Sequence, residues 1–119
     1  MDKRNLIDMD ELSEIMDHDA DLVKECFGDF LQDSEAMLEK INQAIIAQDG
    51  SRLLKAAHAI KGTLRYLAAH QAADIAFKLE KMGEDVRMDQ AAEVFRSLQE
   101  KCSQIRMFMR KYHNDIGTS

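Results

Sequence analysis

Apolar residues recur every three or four positions along most of the chain, which is the spacing that places side chains on one face of an α-helix. The first such stretch predicts a short amphipathic helix with Asp8 at its N-cap and an end near His18. Asp19 is suited to cap a second helix, whose apolar positions continue for about seven turns until Asp49 and Gly50 end it. The first part of the chain is therefore predicted to form one short and one long helix.

Three further amphipathic stretches follow, separated by short connections. Ser51 is predicted to cap the first of these helices, and Gly83 to end the second. Their predicted ranges are about 51–67, 70–82 and 90–112. This pattern favours an all-α fold, an antiparallel four-helix bundle with an additional short N-terminal helix. We expect residues 1–119 to form this single domain.

The composition supports a helical chain that needs no disulfide or metal. Among 119 residues there is no proline and there are only five glycines, while 45% are hydrophobic, a mixture that favours long helices over strands. Cys26 and Cys102 lie far apart in apolar helical patterns and lack a C-x-x-C spacing. We therefore predict buried free thiols rather than a disulfide or a zinc site.

Charge is unevenly distributed along the chain. The formal net charge is −6, but residues 1–50 carry −10 and residues 51–81 carry +4. An acidic chain binds nucleic acid and anionic membranes poorly, so neither is an expected partner. The sequence has no run of 18 apolar residues and no apolar segment after a basic start, so no membrane span or signal peptide is predicted. We expect a cytoplasmic protein.

His58 lies in the basic segment, on the third predicted helix, and its side chain is predicted to point away from the core. On a helical wheel, five apolar residues of this helix fall opposite His58. These residues are Leu53, Ala56, Ile60, Leu64 and Leu67. Lys55 and Lys61 lie three residues before and after His58, and Arg65 lies further along the same face. The imidazole is therefore predicted to be exposed among cations that would hold any anion attached to it.

Gly62 and Leu54 lie on the same predicted face as His58 and suggest that another protein approaches it. A glycine inside a helix costs about 1 kcal/mol relative to alanine, so Gly62 needs another explanation. Its missing side chain leaves room beside the imidazole for a partner. Leu54 would then be an exposed apolar contact for that partner.

The third and fourth predicted helices would bring Glu80 level with His58. If they form a hairpin that turns near Ala69, His58 lies 11 residues before the turn and Glu80 lies 11 residues after it, which is about 16 Å along each helix. Glu80 is then placed to accept the Nδ1 hydrogen of His58 and leave Nε2 free as a nucleophile. The alternative is that Glu80 is a solvated charge beside Lys81.

The segment AHAIKGT, from Ala57 to Thr63, resembles the A-H-x-L-K-G-S pattern of the histidine-containing phosphotransfer (HPt) domain family, the helical modules of multistep two-component signalling. The resemblance extends to the acidic second helix and to the segment ADIAFKLEKMG of the fourth helix, and it covers about residues 19–82. It implies that His58 is phosphorylated, that Lys61 neutralises the charge of the phosphoryl group and that Gly62 leaves room for docking. Glu80 aligns with a position where members of the family have a Gln or Glu that forms a hydrogen bond with the histidine.

Two residues depart from the pattern of the family. Ala68 stands where a glycine is usual, and Leu64 stands where a small residue is usual. If the turn after the third helix requires a left-handed backbone at Ala68, its Cβ would cost about 1 kcal/mol. Neither departure removes the chemistry expected at His58.

The resemblance implies a phosphoryl carrier, in which His58 relays a phosphoryl group between aspartates of response-regulator receiver domains. The expected partners are receiver domains and, as a further candidate, a hybrid sensor kinase, with the protein itself a monomer. Mg²⁺ is expected on the receiver. This chain is expected to have no cofactor and no ATP-dependent kinase activity of its own, since it lacks a glycine-rich phosphate loop. The predicted docking residues are Leu54, Lys55, Gly62 and Arg65.

Two other functions are compatible with parts of the sequence. A helical bundle that binds receiver domains without transferring a group would retain the same motif. A metal-binding bundle would use pairs such as His70 and Asp74, which are four residues apart. The remaining ligands of a complete metal shell are missing from the pattern, so no metal site is predicted.

Overall fold

The structure, a computed structural model, describes the backbone of residues 6–117 and the side chains of residues 6–113. Over this range the chain forms five helices and no strand. They are α1 (Met9–Ile15), α2 (Ala20–Ile46), α3 (Gly50–Tyr66), α4 (His70–Glu84) and α5 (Ala91–Gly117). α3 packs against α2 and α4, and α5 closes the bundle by packing against the same two helices. The predicted all-α bundle with a short additional N-terminal helix is confirmed.

Aspartate side chains cap the N-termini of three of the helices. Asp8 and Asp19 cap α1 and α2 by accepting hydrogen bonds from backbone amides of the first turn, as predicted. At α3 the cap is Asp49, whose Oδ1 accepts from Arg52 N at 3.1 Å, so the prediction of Ser51 as the N-cap is wrong. The connection from α2 takes only residues 47–49, and α3 consequently starts earlier than the pattern of apolar residues indicates.

α3 and α4 meet through two glycines. A Cβ on Gly50 would lie 2.7 Å from the carbonyl oxygen of Gly83, and a Cβ on Gly83 would lie 2.6 Å from that of Gly50. Gly50 is the first residue of α3, and α4 continues through Gly83 to Glu84, so the prediction that Gly83 ends the fourth helix is wrong. Both glycines serve packing, because the missing side chains let the two backbones touch and fix how α3 and α4 align.

The connection between α3 and α4 is a tight turn in which Ala68 has a φ of 57°. Ala68 N donates to Arg65 O at 3.0 Å, and Ala69 N donates to Leu64 O at 2.8 Å, which satisfies carbonyl groups at the end of α3. The left-handed backbone considered for Ala68 is therefore present. Its carbonyl oxygen accepts a hydrogen bond from Asp8 N at 2.9 Å, so the same turn also anchors the start of α1. α3 and α4 therefore form the hairpin that was predicted to bring Glu80 level with His58.

The hydrophobic core runs along the inner side of each helix. On α3 the predicted core residues Leu53, Ile60, Leu64 and Leu67 are buried, whereas Ala56 is half-buried. Leu64 is fully buried. At the position where the family usually has a small residue, this chain therefore has a side chain that belongs to the core. Among the helices that the structure describes, none has both the length and the apolar character needed to cross a membrane.

Candidate functional site

His58 lies in the middle of α3 with 69% of its side chain exposed, so the predicted outward orientation is confirmed. The neighbouring turns of the helix are anchored in the core by Leu53, Ala57 and Ile60, all of which are fully buried. A buried helix face of this kind holds the backbone of His58 in place while its imidazole stays at the surface.

Glu80 of α4 lies level with His58 across the hairpin. Its Oε1 atom is 3.3 Å from His58 Nδ1. At this distance the imidazole can donate an Nδ1 hydrogen to the carboxylate, which selects the tautomer that has its lone pair on Nε2. The contact predicted from the hairpin register is present. The alternative that Glu80 is a solvated charge is wrong, because its side chain is only 14% exposed, and Lys81 pairs with Glu84 instead.

Lys61 is enclosed between α3 and α4. Its Nζ atom is 2.6 Å from Glu80 Oε1 and 5.0 Å from the centroid of the Phe77 ring. Only 9% of its side chain is exposed, so the prediction that Lys61 stands on the exposed face with His58 is wrong. The reason is that α4 offers the ammonium group both an anion and an aromatic face along this edge of α3. Phe77 was not predicted as part of the site, although its spacing of three residues from Glu80 places both on one face of α4.

Two neighbours hold Glu80 in its ionised form. Burial raises the pKa of the Glu80 carboxyl, but hydrogen bonds from Lys61 and His58, with the attraction between charges that accompanies them, outweigh burial and lower the pKa below its ordinary value. Both neighbours contact the same oxygen, Oε1. Glu80 Oε1 therefore links the side chains of Lys61 and His58. We refer to these three side chains as the His58–Glu80–Lys61 triad.

The residues predicted to dock a partner differ in how open they are. Lys55 and Arg65 are exposed, as expected. A Cβ on Gly62 would meet no atom of the described residues within 4 Å, so this side of the imidazole is open. Leu54 is only half-buried rather than exposed as predicted, because α4 approaches its backbone at Gly83.

A groove of about 410 Å³ lies between α2 and α3 and reaches Gly62. It combines apolar and acidic side chains, which include Phe30, Met37, Tyr66, Asp29 and Asp33. Tyr66 is 52% exposed, so an aromatic surface is available at one side of the groove. The sequence did not predict this groove, since its shape depends on how closely two helices pack.

No group of three or more His, Cys, Asp and Glu side chains able to hold a metal ion occurs within the described residues. His70, which was considered as part of a metal pair, has its Nε2 atom 3.0 Å from both carboxylate oxygens of Glu11. This contact links α1 to the first residue of α4.

Comparison with known protein families identifies the class to which the chain belongs. A model of the Hpt domain matches residues 25–108, a range that contains α3, α4 and the whole triad. The chain belongs to the Hpt domain family, the histidine phosphotransfer domains of phosphorelays. The resemblance noted in the sequence is thereby confirmed.

A solved structure shares the whole fold. The chain is similar to histidine-containing phosphotransfer protein B (HptB) from Pseudomonas aeruginosa PAO1, with a TM-score of 0.81 and 23% sequence identity. The similarity covers 97% of this chain and 95% of that chain. At this level of identity it establishes a common fold and assigns no residue roles. Comparison with curated proteins gave no match.

Proposed function

We propose that His58 is the phospho-acceptor of this HPt domain and that it relays a phosphoryl group between aspartates of response-regulator receiver domains. The observation that supports this most directly is the exposed imidazole whose Nδ1 atom lies 3.3 Å from Glu80 Oε1. Exposure gives a second protein access to the ring. The carboxylate on Nδ1 directs the lone pair to Nε2, the atom that would attack phosphorus.

Two other histidines are less suited to this role. The Nε2 atom of His70 is engaged by the carboxylate of Glu11 at 3.0 Å. The Nε2 atom of His113 is buried. A nucleophilic nitrogen must reach the active site of another protein, so His58 fits the role better than either of them.

The transfer is a substitution at phosphorus. The Nε2 lone pair of His58 forms the N–P bond while the P–O bond to the receiver aspartate breaks, and that bonding pair leaves on the aspartate carboxylate. Positive charge develops on the imidazole ring and is shared with the Nδ1–H group, which faces Glu80. The reverse step delivers the group to the aspartate of a second receiver. Mg²⁺ bound by the receiver would supply charge neutralisation at the phosphoryl oxygens.

The surface around His58 would dock the receiver. Exposed Lys55 and Arg65 provide positive charge that complements an acidic receiver pocket. Gly62 leaves the approach open, and half-buried Leu54 adds a smaller apolar contact than the sequence indicated. A relay must release each partner, so the interface is expected to be weak and transient. A monomeric protein that binds receivers, with a hybrid sensor kinase as a further partner, is consistent with this surface.

The test is phosphotransfer from an isolated receiver. The purified protein is incubated with a phosphorylated receiver and Mg²⁺, and the label is analysed for the acid-labile, base-stable behaviour of phosphohistidine. We expect label on His58, located by peptide mass spectrometry, and none in His58→Gln. His70→Gln is the matched control, because it removes another exposed histidine and should retain labelling.

The same experiment separates the carrier from an interaction module that only binds. Receiver binding to the wild-type protein without label on any histidine would favour the module. Label that persists in His58→Gln would overturn the assignment of His58.

A further inference from the structure

Glu80 creates an electrostatic conflict at the proposed site. Its carboxylate orients the imidazole through Nδ1, but a phosphoryl group on Nε2 brings negative charge to the other side of the same ring. An unpaired carboxylate at this place would repel the phosphoryl group. It would also favour the protonated imidazolium, which has no free lone pair with which to attack. A neutral amide at the same position would create neither problem.

Lys61 is placed to remove this conflict. Its ammonium lies 2.6 Å from Glu80 Oε1, the oxygen that also contacts His58 Nδ1. The Lys61 side chain is 9% exposed, and its Nζ atom lies 5.0 Å from the centroid of the Phe77 ring of α4. Any movement of Lys61 toward a phosphoryl group that took it away from the carboxylate and the ring would give up both contacts. It would then leave Glu80 as a largely buried charge without its partner, which is strongly unfavourable.

We infer that Lys61 is a positioning residue that acts through Glu80 rather than on the phosphoryl group directly. It serves as the fixed counter-ion of Glu80, holds the carboxylate on His58 Nδ1 and cancels the charge that would oppose phosphorylation. This inference rests on the proposed role of His58. It differs from the role that the family resemblance implies, in which Lys61 neutralises the phosphoryl charge itself.

A double-mutant cycle between Lys61 and Glu80 tests the inference. Four proteins are compared in transfer from a phosphorylated receiver: wild type, Lys61→Met, Glu80→Gln and the double variant. The glutamine side chain can still accept the Nδ1 hydrogen and needs no counter-ion. We expect Lys61→Met to slow transfer about tenfold in the wild-type background and less than about threefold in the Glu80→Gln background, a coupling of the size found for residues in contact. Equal losses in both backgrounds would overturn the inference.

Lys55 supplies a matched control. It is a second lysine on α3, three residues from His58, but it is exposed. Lys55→Met is expected to slow transfer by the same factor whether residue 80 is Glu or Gln, since a direct effect on the approaching receiver does not depend on Glu80. Coupling of Lys55 to Glu80 as strong as that of Lys61 would show that the cycle reports overall charge, and it would also overturn the inference.

A second measurement needs no receiver and therefore separates this inference from the proposed function. ¹⁵N NMR of the His58 ring distinguishes the neutral tautomers from the imidazolium ion. At about pH 7 we expect Lys61→Met to raise the imidazolium fraction, because it leaves Glu80 unneutralised, and the double variant to return it to the wild-type level. An unchanged fraction in folded Lys61→Met would contradict the counter-ion role. Failure of wild-type His58 to accept phosphate would instead contradict the proposed function.

The conservative variant Lys61→Arg keeps the cycle interpretable if Lys61→Met is unstable. Arginine keeps the positive charge and can also pair with a carboxylate. Lys61→Arg should retain the wild-type imidazolium fraction and most of the transfer rate. If a folded Lys61→Arg protein has an altered imidazolium fraction and also transfers slowly, the function of residue 61 is not charge pairing with Glu80.

Discussion

Gly50 at the start of α3 lies against Gly83 near the end of α4, so closely that a Cβ on either residue would come within 2.7 Å of the carbonyl oxygen of the other. This contact and the turn at Ala68 hold the two ends of the hairpin, and His58 and Glu80 lie between them. The two ends together determine which residues of α3 and α4 are level with each other. The alignment of the triad therefore depends on glycines that take no part in its chemistry.

We expect Gly83→Ala to destabilise the protein by about 1–3 kcal/mol, the usual cost of overpacking a close contact. The added methyl group would meet Gly50 O and Leu54 N, each at 2.6 Å, so backbone must move. Urea unfolding followed by circular dichroism measures the loss. Gly28→Ala is the control, because its Cβ would have an ordinary contact of 3.9 Å with His113, and it should stabilise α2 by about 0.5–1 kcal/mol. Equal stability of Gly83→Ala and wild type would refute the packing role.

Gly62 should respond in the opposite way. Because a Cβ there meets no described atom within 4 Å, we expect Gly62→Ala to stabilise the free protein by about 0.5–1 kcal/mol through helix propensity. A longer side chain in Gly62→Gln should leave the fold intact but raise the KM for a phosphorylated receiver about tenfold, which corresponds to about 1.4 kcal/mol of lost binding. Unfolding and transfer assays on the same preparations distinguish the two effects. An unchanged KM in Gly62→Gln would remove Gly62 from the docking surface.

The sequence predicted those features of the fold and the site that depend on regular helix geometry. The outward direction of His58 follows from the helical wheel, and its contact with Glu80 follows from an equal rise on both sides of one turn. The end of a helix depends on local competition instead. Asp49 rather than Ser51 accepts the hydrogen bond that caps α3, and Gly83 stays inside α4, where it packs against Gly50.

The sequence could not predict the burial of residues at the edge of the helix face that carries His58. Lys61 and Leu54 lie at the edge of the face that carries His58, and the packing of α4 covers this edge. The wheel gives the angle of a side chain but not the neighbour that it meets. The charge of Lys61 suggested exposure, whereas Glu80 and Phe77 provide an anion and an aromatic ring as partners for the buried ammonium.

Val86 provides a test of backbone strain outside the site. It follows α4 with a φ of 53°, a conformation that a β-branched residue rarely adopts, and it is 69% exposed. Asparagine tolerates the left-handed region, and little apolar contact is lost on replacing Val86. We expect Val86→Asn to raise the free energy of unfolding by about 0.5–1 kcal/mol. Ile46→Asn, an exposed apolar residue at the end of α2, controls for lost surface hydrophobicity. A Val86→Asn protein no more stable than wild type would show that the strain is negligible.

The two thiols should differ in reactivity. Burial raises the pKa of the Cys102 thiol to about 11, and it raises the pKa of half-buried Cys26 as well, with help from Asp29 and Glu25. The thiolate is the reactive form, so both are poor nucleophiles at about pH 8. We expect iodoacetamide to leave Cys102 unmodified in the native protein and to modify Cys26 slowly, as measured by peptide mass spectrometry. Both should react rapidly in urea, and rapid native labelling of Cys102 would contradict its burial.

The triad also predicts a specific loss of stability in acid. Burial raises the pKa of Glu80, but hydrogen bonds from Lys61 and His58 more than offset it, so the folded pKa lies below the unfolded value, which is about 4.3. Between these two values the unfolded chain binds more protons. The contribution of Glu80 to stability is therefore fully present above about pH 5 and is lost as the pH falls through the folded pKa.

The difference in unfolding free energy between wild type and Glu80→Gln should accordingly narrow on acidification. Urea unfolding at a series of pH values measures this difference, with Glu100→Gln on the exposed side of α5 as the control. A difference that stays constant down to about pH 3 would mean that Glu80 is not held ionised by its neighbours.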